Sequence, residues 1–165
     1  RKGSKYFLEA LDLIAKKKLN YKIKIVFVGG KNSRIEIPFN ENINFLNLGR
    51  IDQVNLVNLF SASDATIFTA IEDNLPNFVL ESLSCCSPVV AFNIGGVSEI
   101  IDHKINGYIA KSMSSNDLAN GIEWILKDDI RRFNLGKNAR EKVIKKFNIA
   151  KQAKVYKKFL EKIVL

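Results

Sequence analysis

The chain has 165 residues, 47% of them apolar, a mean hydropathy of −0.03 and a formal net charge of +9. That length and apolar share fit one globular domain with its own core and exclude a disordered chain. No apolar run approaches the roughly 20 residues needed to span a bilayer, and no leader-like run follows Arg1-Lys2-Gly3.

The first predicted helix covers residues 4–19, where Phe7, Ala10, Leu11 and Ile14 recur at helical spacing. Residues 23–28 read as a buried strand closed by Gly29-Gly30, followed by a polar loop at 31–41. Residues 43–48 form a second strand, stopped by Gly49. A short helix at 53–61 leads to a third strand at 65–70, a helix at 76–84 and a fourth strand at 88–92. Cys85 and Cys86, adjacent in sequence, suit neither a mutual bridge nor a zinc site and are expected as reduced thiols, consistent with a cytoplasmic setting. After a last short strand near 107–109 the pattern is wholly helical. Ile149, Ala153, Tyr156, Leu160 and Ile163 then step by four and three, giving one apolar stripe among lysines.

Short apolar strands alternating with amphipathic helices predict an α/β fold: a doubly wound parallel sheet with right-handed crossovers, followed by C-terminal helices. Such a domain seldom opens on a helix, so a first strand is expected upstream of Arg1.

The charge is unevenly placed. Residues 127–165 carry 13 Lys and Arg against 4 Asp and Glu, so this helical stretch holds the whole excess of +9. A solvated helix face is the plain explanation. Attraction to an anionic membrane surface or an anionic partner domain is the sharper one. Lysine dominates and no recognition motif accompanies it, which argues against nucleic acid.

In open parallel sheets, ligands bind beyond the carboxyl ends of the strands. The loops there are 29–33, 49–52, 71–76 and 93–98. Pro76 suits a first helical turn, where free backbone N–H groups and the positive end of the helix dipole make an anion site suited to a diphosphate. Asp73 stands at its mouth. Glu81 lies about five residues into the helix, roughly 7–8 Å along the axis. Two carboxylates so far apart do not share a proton, but each can accept hydrogen bonds from vicinal hydroxyls.

The run Glu72-Asp-Asn-Leu-Pro-Asn-Phe-Val-Leu-Glu81, followed by Ser-Pro88-Val-Val-Ala-Phe and Gly95-Gly-Val-Ser-Glu99-Ile-Ile, resembles the family 4 glycosyltransferases of GT-B architecture. Their hallmark is an acid, seven residues, then a Glu on the helix that holds the sugar nucleotide, a spacing matched by Asp73 and Glu81. The resemblance extends through Lys2-Gly3, Val28-Gly29, Leu48-Gly49-Arg50, Ser63-Asp64-Ala65 and Asn106-Gly107-Tyr108.

It implies the C-terminal, donor-binding half of a GT-B enzyme, transferring a hexose from a nucleotide-diphosphate sugar to a saccharide or lipid-linked acceptor. The family generally retains anomeric configuration and needs no divalent metal or other cofactor. By this resemblance Glu81 holds the ribose hydroxyls, Asp73 or the neighbouring Glu72 faces the transferred sugar, and Lys2 pairs with the diphosphate. Gly30, Arg50 and Ile51 sit beside the nucleotide, and amides of the Leu75, Pro76, Asn77 and Phe78 stretch cradle the phosphates. The acceptor site belongs to an N-terminal domain, without which residues 1–165 bind donor but turn nothing over. Polysaccharide, capsule or lipopolysaccharide synthesis at the inner face of a membrane is the setting implied.

Two departures from the family pattern stand out. The first acid is Asp rather than Glu, and Cys86-Ser87 replaces the small glycine-type residue before Pro88; a glycine there would suit a helix end with φ > 0. Glu99 is either a ligand contact or a helix cap. His103, the only histidine, reads as surface. A non-catalytic docking module on the same fold is the rival of another class. An epimerase is a second enzyme reading. A phosphorylase lacks its pyridoxal-phosphate lysine context, and a receiver domain lacks its Asp after the third strand.

Overall fold

The computed structural model describes residues 2–17, 19–30 and 40–163, so nearly all of the predicted polar loop at 31–41 lies outside the described residues. In chain order the elements are α1 (Ser4–Ala15), β1 (Ile23–Phe27), β2 (Ile43–Asn47), α2 (Gln53–Ala62), β3 (Thr66–Phe68) and α3 (Asn77–Ser84). Then follow β4 (Val89–Phe92), α4 (Val97–Ile100), β5 (Gly107–Ala110), α5 (Ser115–Leu126), α6 (Asp129–Lys146) and α7 (Ile149–Ile163). The short α4 is the one element the periodicity does not predict.

Among the described residues all strand pairings are parallel, in ladders ordered β1-β2 and β3-β4-β5. Every residue of β4 is buried, as a strand covered on both faces must be. Its side chains alternate between two cores. Val90 and Phe92 join Phe7, Leu11, Ile14, Leu118, Ile122 and Ile125 beneath α1 and α5. Val89 and Ala91 join Val79, Leu83, Ile100 and Ala139 beneath α3, α4 and α6. Helices therefore cover both faces, which is the expected doubly wound arrangement. Each fully buried aliphatic or aromatic side chain in these layers contributes about 1.5–3 kcal/mol.

The two ladders run in the same direction, and α1 shows why. At its N-terminal end, Thr69 Oγ1, just past β3, donates to Lys2 O (2.9 Å). At its C-terminal end, Asn40 Nδ2, just before β2, donates to Ala15 O (2.8 Å). The helix thus lies beside the carboxyl end of β3 and the amino end of β2, and the loops after all five strands share one edge. Ile23, Ile25 and Phe27 of β1 and Ile67 of β3 pack on the same cluster, yet among the described residues no ladder joins β1 to β3. The sheet is split there.

Helix α7 forms where the stripe predicts it, but none of its residues is buried. Ile149, Tyr156, Leu160 and Ile163 are 55–86% exposed. The apolar stripe meets no core among the described residues.

Candidate functional site

Helices α2, α5 and α6 each begin on a side-chain cap: Asp52 accepts from Asn55 N (2.7 Å), Ser114 from Asp117 N (3.2 Å) and Asp128 from Arg131 N (2.8 Å). Helices α1, α3 and α4 begin on Gly3, Pro76 and Gly96, with no side-chain cap. Those three starts lie at the edge where the strands end, so their orphan N–H groups face the place where a doubly wound sheet takes its ligand.

The start of α3 is the centre of this region. Pro76 stands one residue before the helix rather than in its first turn, with φ −70° and ψ 110°. Its carbonyl takes the first helical bonds, from Val79 N (3.1 Å) and Leu80 N (3.4 Å). Among the described residues the amides of Leu75, Asn77 and Phe78 have no acceptor. Proline has no N–H, so of the stretch 75–78 only these three can cradle a phosphate; buried Pro76 supplies the turn.

One turn along α3, Asn77 and Glu81 are both exposed, while Val79, Ser82 and Leu83 face the core. Glu81 therefore sits on the open face about 6 Å beyond Asn77. Asp73 is half-buried and Glu72 exposed. Among the described residues the side chains of Lys2, Arg50, Glu72, Asp73 and Glu81 make no hydrogen bond or ion pair. Elsewhere the fold pairs charges freely, as in Lys142–Asp102 (2.9 Å) and Arg132–Asp64 (3.0 Å). The five site charges are left without such partners.

Backbone contacts sort the site residues into two groups. The first joins Lys2, Thr69 and the acid loop: an ideal Cβ on Gly3 (φ +66°) would lie 1.8 Å from Thr69 O, so only glycine lets α1 approach β3 this closely. The second joins the loops after β1 and β2, where Gly29 N donates to Gly49 O (2.7 Å) and so sets Gly30 near Arg50 and Ile51. Ile51 is half-buried and Arg50 exposed. Asp52, the cap of α2, follows directly and fixes this turn.

Sequence reasoning missed one feature. The Gly95-Gly96 turn packs on the acid loop, with Gly96 N donating to Asn74 O (2.7 Å). The double glycine was visible, but the loop it touches was not. Glu99 is exposed in the first turn of α4, a helix of four residues. His103 is exposed yet structural: its Nδ1 accepts from Ile109 N (3.0 Å), and its ring lies 4.6 Å from that of Tyr108.

Residues 1–142 match the family described as glycosyl transferases group 1. The chain is 31% identical over 144 residues to the N,N'-diacetylbacillosaminyl-diphospho-undecaprenol alpha-1,3-N-acetylgalactosaminyltransferase of Campylobacter jejuni, covering 85% of this chain and 36% of that protein. It is 22% identical over 156 residues to the UDP-Gal:alpha-D-GlcNAc-diphosphoundecaprenol alpha-1,3-galactosyltransferase of Escherichia coli, covering 92% and 40%. In fold it matches HepE of Anabaena, solved in complex with UDP-glucose, with a TM-score of 0.78 at 20% identity, covering 98% of this chain and 45% of that one. The chain spans less than half the length of each of these proteins. With most of its residues matched and the expected parallel sheet in place, it belongs to the glycosyl transferases group 1 family.

Proposed function

We infer that this domain binds a nucleotide-diphosphate sugar and presents it for retaining transfer of a hexose. The observation that carries the reading is the uncapped start of α3, whose free amides stand between the unpaired carboxylates of Asp73 and Glu81. A diphosphate satisfies the amides and the helix dipole. Glu81, farther along the open face, accepts from the ribose hydroxyls. Asp73, at the mouth, accepts from hydroxyls of the sugar. Lys2, held beside β3 through its carbonyl, supplies the cation that offsets charge on the departing diphosphate. Preorganised donors of this kind act where charge develops, so Lys2 and the α3 amides are the catalytic contribution of this half, with no resident metal or cofactor assigned a role. Gly30, Arg50 and Ile51 flank the nucleotide end.

The acceptor pocket belongs to an N-terminal domain in the remainder of a longer protein, and residues 1–165 alone turn nothing over. The names of the C. jejuni and E. coli relatives specify undecaprenol-diphosphate-linked saccharides. They support a saccharide or lipid-linked acceptor here, in polysaccharide, capsule or lipopolysaccharide synthesis on the cytoplasmic side of a membrane. The basic C-terminal helices fit a peripheral contact with such an anionic surface. No helix among the described residues is long and apolar enough to cross it.

A thermal-shift panel of UDP-, GDP- and ADP-sugars tests the donor site. A ligand that prefers the native state stabilises it by about 2.7 kcal/mol at a hundred times its Kd, about 5–10 °C for a domain of this size. One nucleotide class is expected to give that shift, and Glu81→Ala to remove most of it. A flat panel, or a shift untouched by Glu81→Ala, would defeat the reading.

A further inference from the structure

The turn after β4 approaches the acid loop more closely than any side chain would allow. An ideal Cβ on Gly95 would lie 1.9 Å from Asp73 O and 3.1 Å from Asn74 O. One on Gly96 would lie 2.7 Å from Asn74 O and 2.9 Å from a Leu75 methyl. The approach is locked by the hydrogen bond from Gly96 N to Asn74 O (2.7 Å), and Gly95 adopts a left-handed φ of +43°. Two consecutive glycines thus press on Asp73, Asn74 and Leu75. The rest of α3 is held differently, through Val79 and Leu83 in the core. The two acids of the site are therefore positioned independently: Glu81 by helix packing, Asp73 by a backbone clamp.

We propose that Gly95 and Gly96 are positioning residues that set Asp73, and through it determine how the sugar of the donor is held, while the contacts of Glu81 and of the Asn77 and Phe78 amides to the nucleotide are left in place. The inference rests on the donor reading above, and adds to it a division of labour. A methyl group on Gly95 forces Asp73 O to retreat by at least about 1 Å, since carbon and oxygen do not approach below 3.0 Å. A hydrogen bond displaced by that much leaves the 2.7–3.2 Å range in which it is effective. Glu81 and the Asn77 and Phe78 amides stay where α3 holds them.

The test compares UDP with UDP-glucose, the pair that isolates the sugar increment, by calorimetric titration of the parent chain and of Gly95→Ala. The parent is expected to bind UDP-glucose more tightly than UDP. Gly95→Ala is expected to lower that preference about tenfold, the scale of one lost hydrogen bond to a charged group, while UDP affinity stays within about twofold. Should Gly95→Ala fail to fold, Gly96→Ala, without a positive φ, displaces Asn74 O next to Asp73 and is expected to lower the preference in the same direction. In an Asp73→Ala background the Gly95 substitution is expected to change the preference no further. A folded Gly95→Ala protein with unchanged preference, equal losses for both probes, or effects that add to those of Asp73→Ala would each overturn the clamp. If the parent binds UDP-glucose and the clamp fails, the donor site stands; if the parent binds neither these probes nor the GDP and ADP counterparts, both readings fall.

Discussion

At the scale of single residues, Cys86 shows what a departure from a family pattern means physically. Helix α3 ends in a Schellman arrangement: Ser87 N donates to Ser82 O (3.1 Å) and Cys86 N to Leu83 O (3.2 Å). That geometry requires a left-handed residue, and Cys86 adopts φ 62°. Ser87, the second altered position, is buried and bonded to Thr66 (Oγ to Oγ1, 3.0 Å). The family turn thus forms without its glycine, at a cost in local strain, and Cys86 is no argument for a degenerate docking module. Cys86→Gly is expected to stabilise the chain by about 1 kcal/mol, raising the melting midpoint by about 2–4 °C in a calorimetric scan. No change, or a fall, would mean that the left-handed turn is unstrained here. The need for a left-handed residue was legible from sequence because Pro88 and the strand behind it fix where the helix stops. The Gly95–Asp73 approach was not, because it joins two loops 22 residues apart through backbone atoms alone.

At the scale of elements, α1 and α5 are joined by a charge cluster far from any ligand role. Glu123, 7% exposed on α5, pairs with Lys17 (3.0 Å) beyond the end of α1 and with Lys127 (3.0 Å) at its own C-cap. Burial penalises the carboxylate, but hydrogen bonds and charge from Lys17 and Lys127 together outweigh it and hold its pKa below the ordinary 4.5. The folded pKa lies below the unfolded one, so the contribution is fully present above about pH 4.5 and is lost as pH falls through the folded value. Both lysines are half exposed, which limits the contribution to about 1 kcal/mol. Glu123→Gln is expected to be less stable than the parent by that amount in urea at pH 7, with the gap closing as pH falls below the ordinary carboxylate range and through the lowered folded value. A gap that stays constant from pH 7 to pH 3 would show that the pair carries none of it. Periodicity foretold α1, and α5 falls in the stretch read as wholly helical, yet no sequence signal linked residue 17 to residue 123. The same holds for the site: Asp73, Glu81 and Pro76 were legible because a strand end, a proline and a helix start fall in one short run. Pro76 was expected inside α3 and stands just before it, because its carbonyl rather than its ring position opens the helix.

At the scale of the whole molecule, the doubly wound plan was readable from alternating apolar runs, and only α4, four residues long, escaped the periodicity. The fate of the α7 stripe was not readable, because a helical pattern says which face is apolar and not what covers it. Five lysines, Lys151, Lys154, Lys157, Lys158 and Lys162, share α7 with an exposed apolar face and a single acid, Glu161. Such a helix suits the headgroup boundary of an anionic bilayer, where each lysine near the surface contributes about 1 kcal/mol. The chain is expected to float with phosphatidylglycerol vesicles at low salt, to be released at high salt as screening shortens the interaction, and to ignore phosphatidylcholine vesicles. Flotation with neither lipid, or flotation insensitive to salt, would discard the membrane contact.

The break between β1 and β3 has a consequence for handling the polypeptide. Among the described residues the second edges of β1 and β3 carry no ladder, residues of both strands pack on one apolar cluster, and proline occurs in neither strand. Rims of this kind capture any extended segment that reaches them, a neighbouring copy included. Where no strand upstream of Arg1 fills that gap, the liability of these 165 residues at high concentration is therefore not a weak core but an open seam, a place where self-association begins by zipping backbone to backbone.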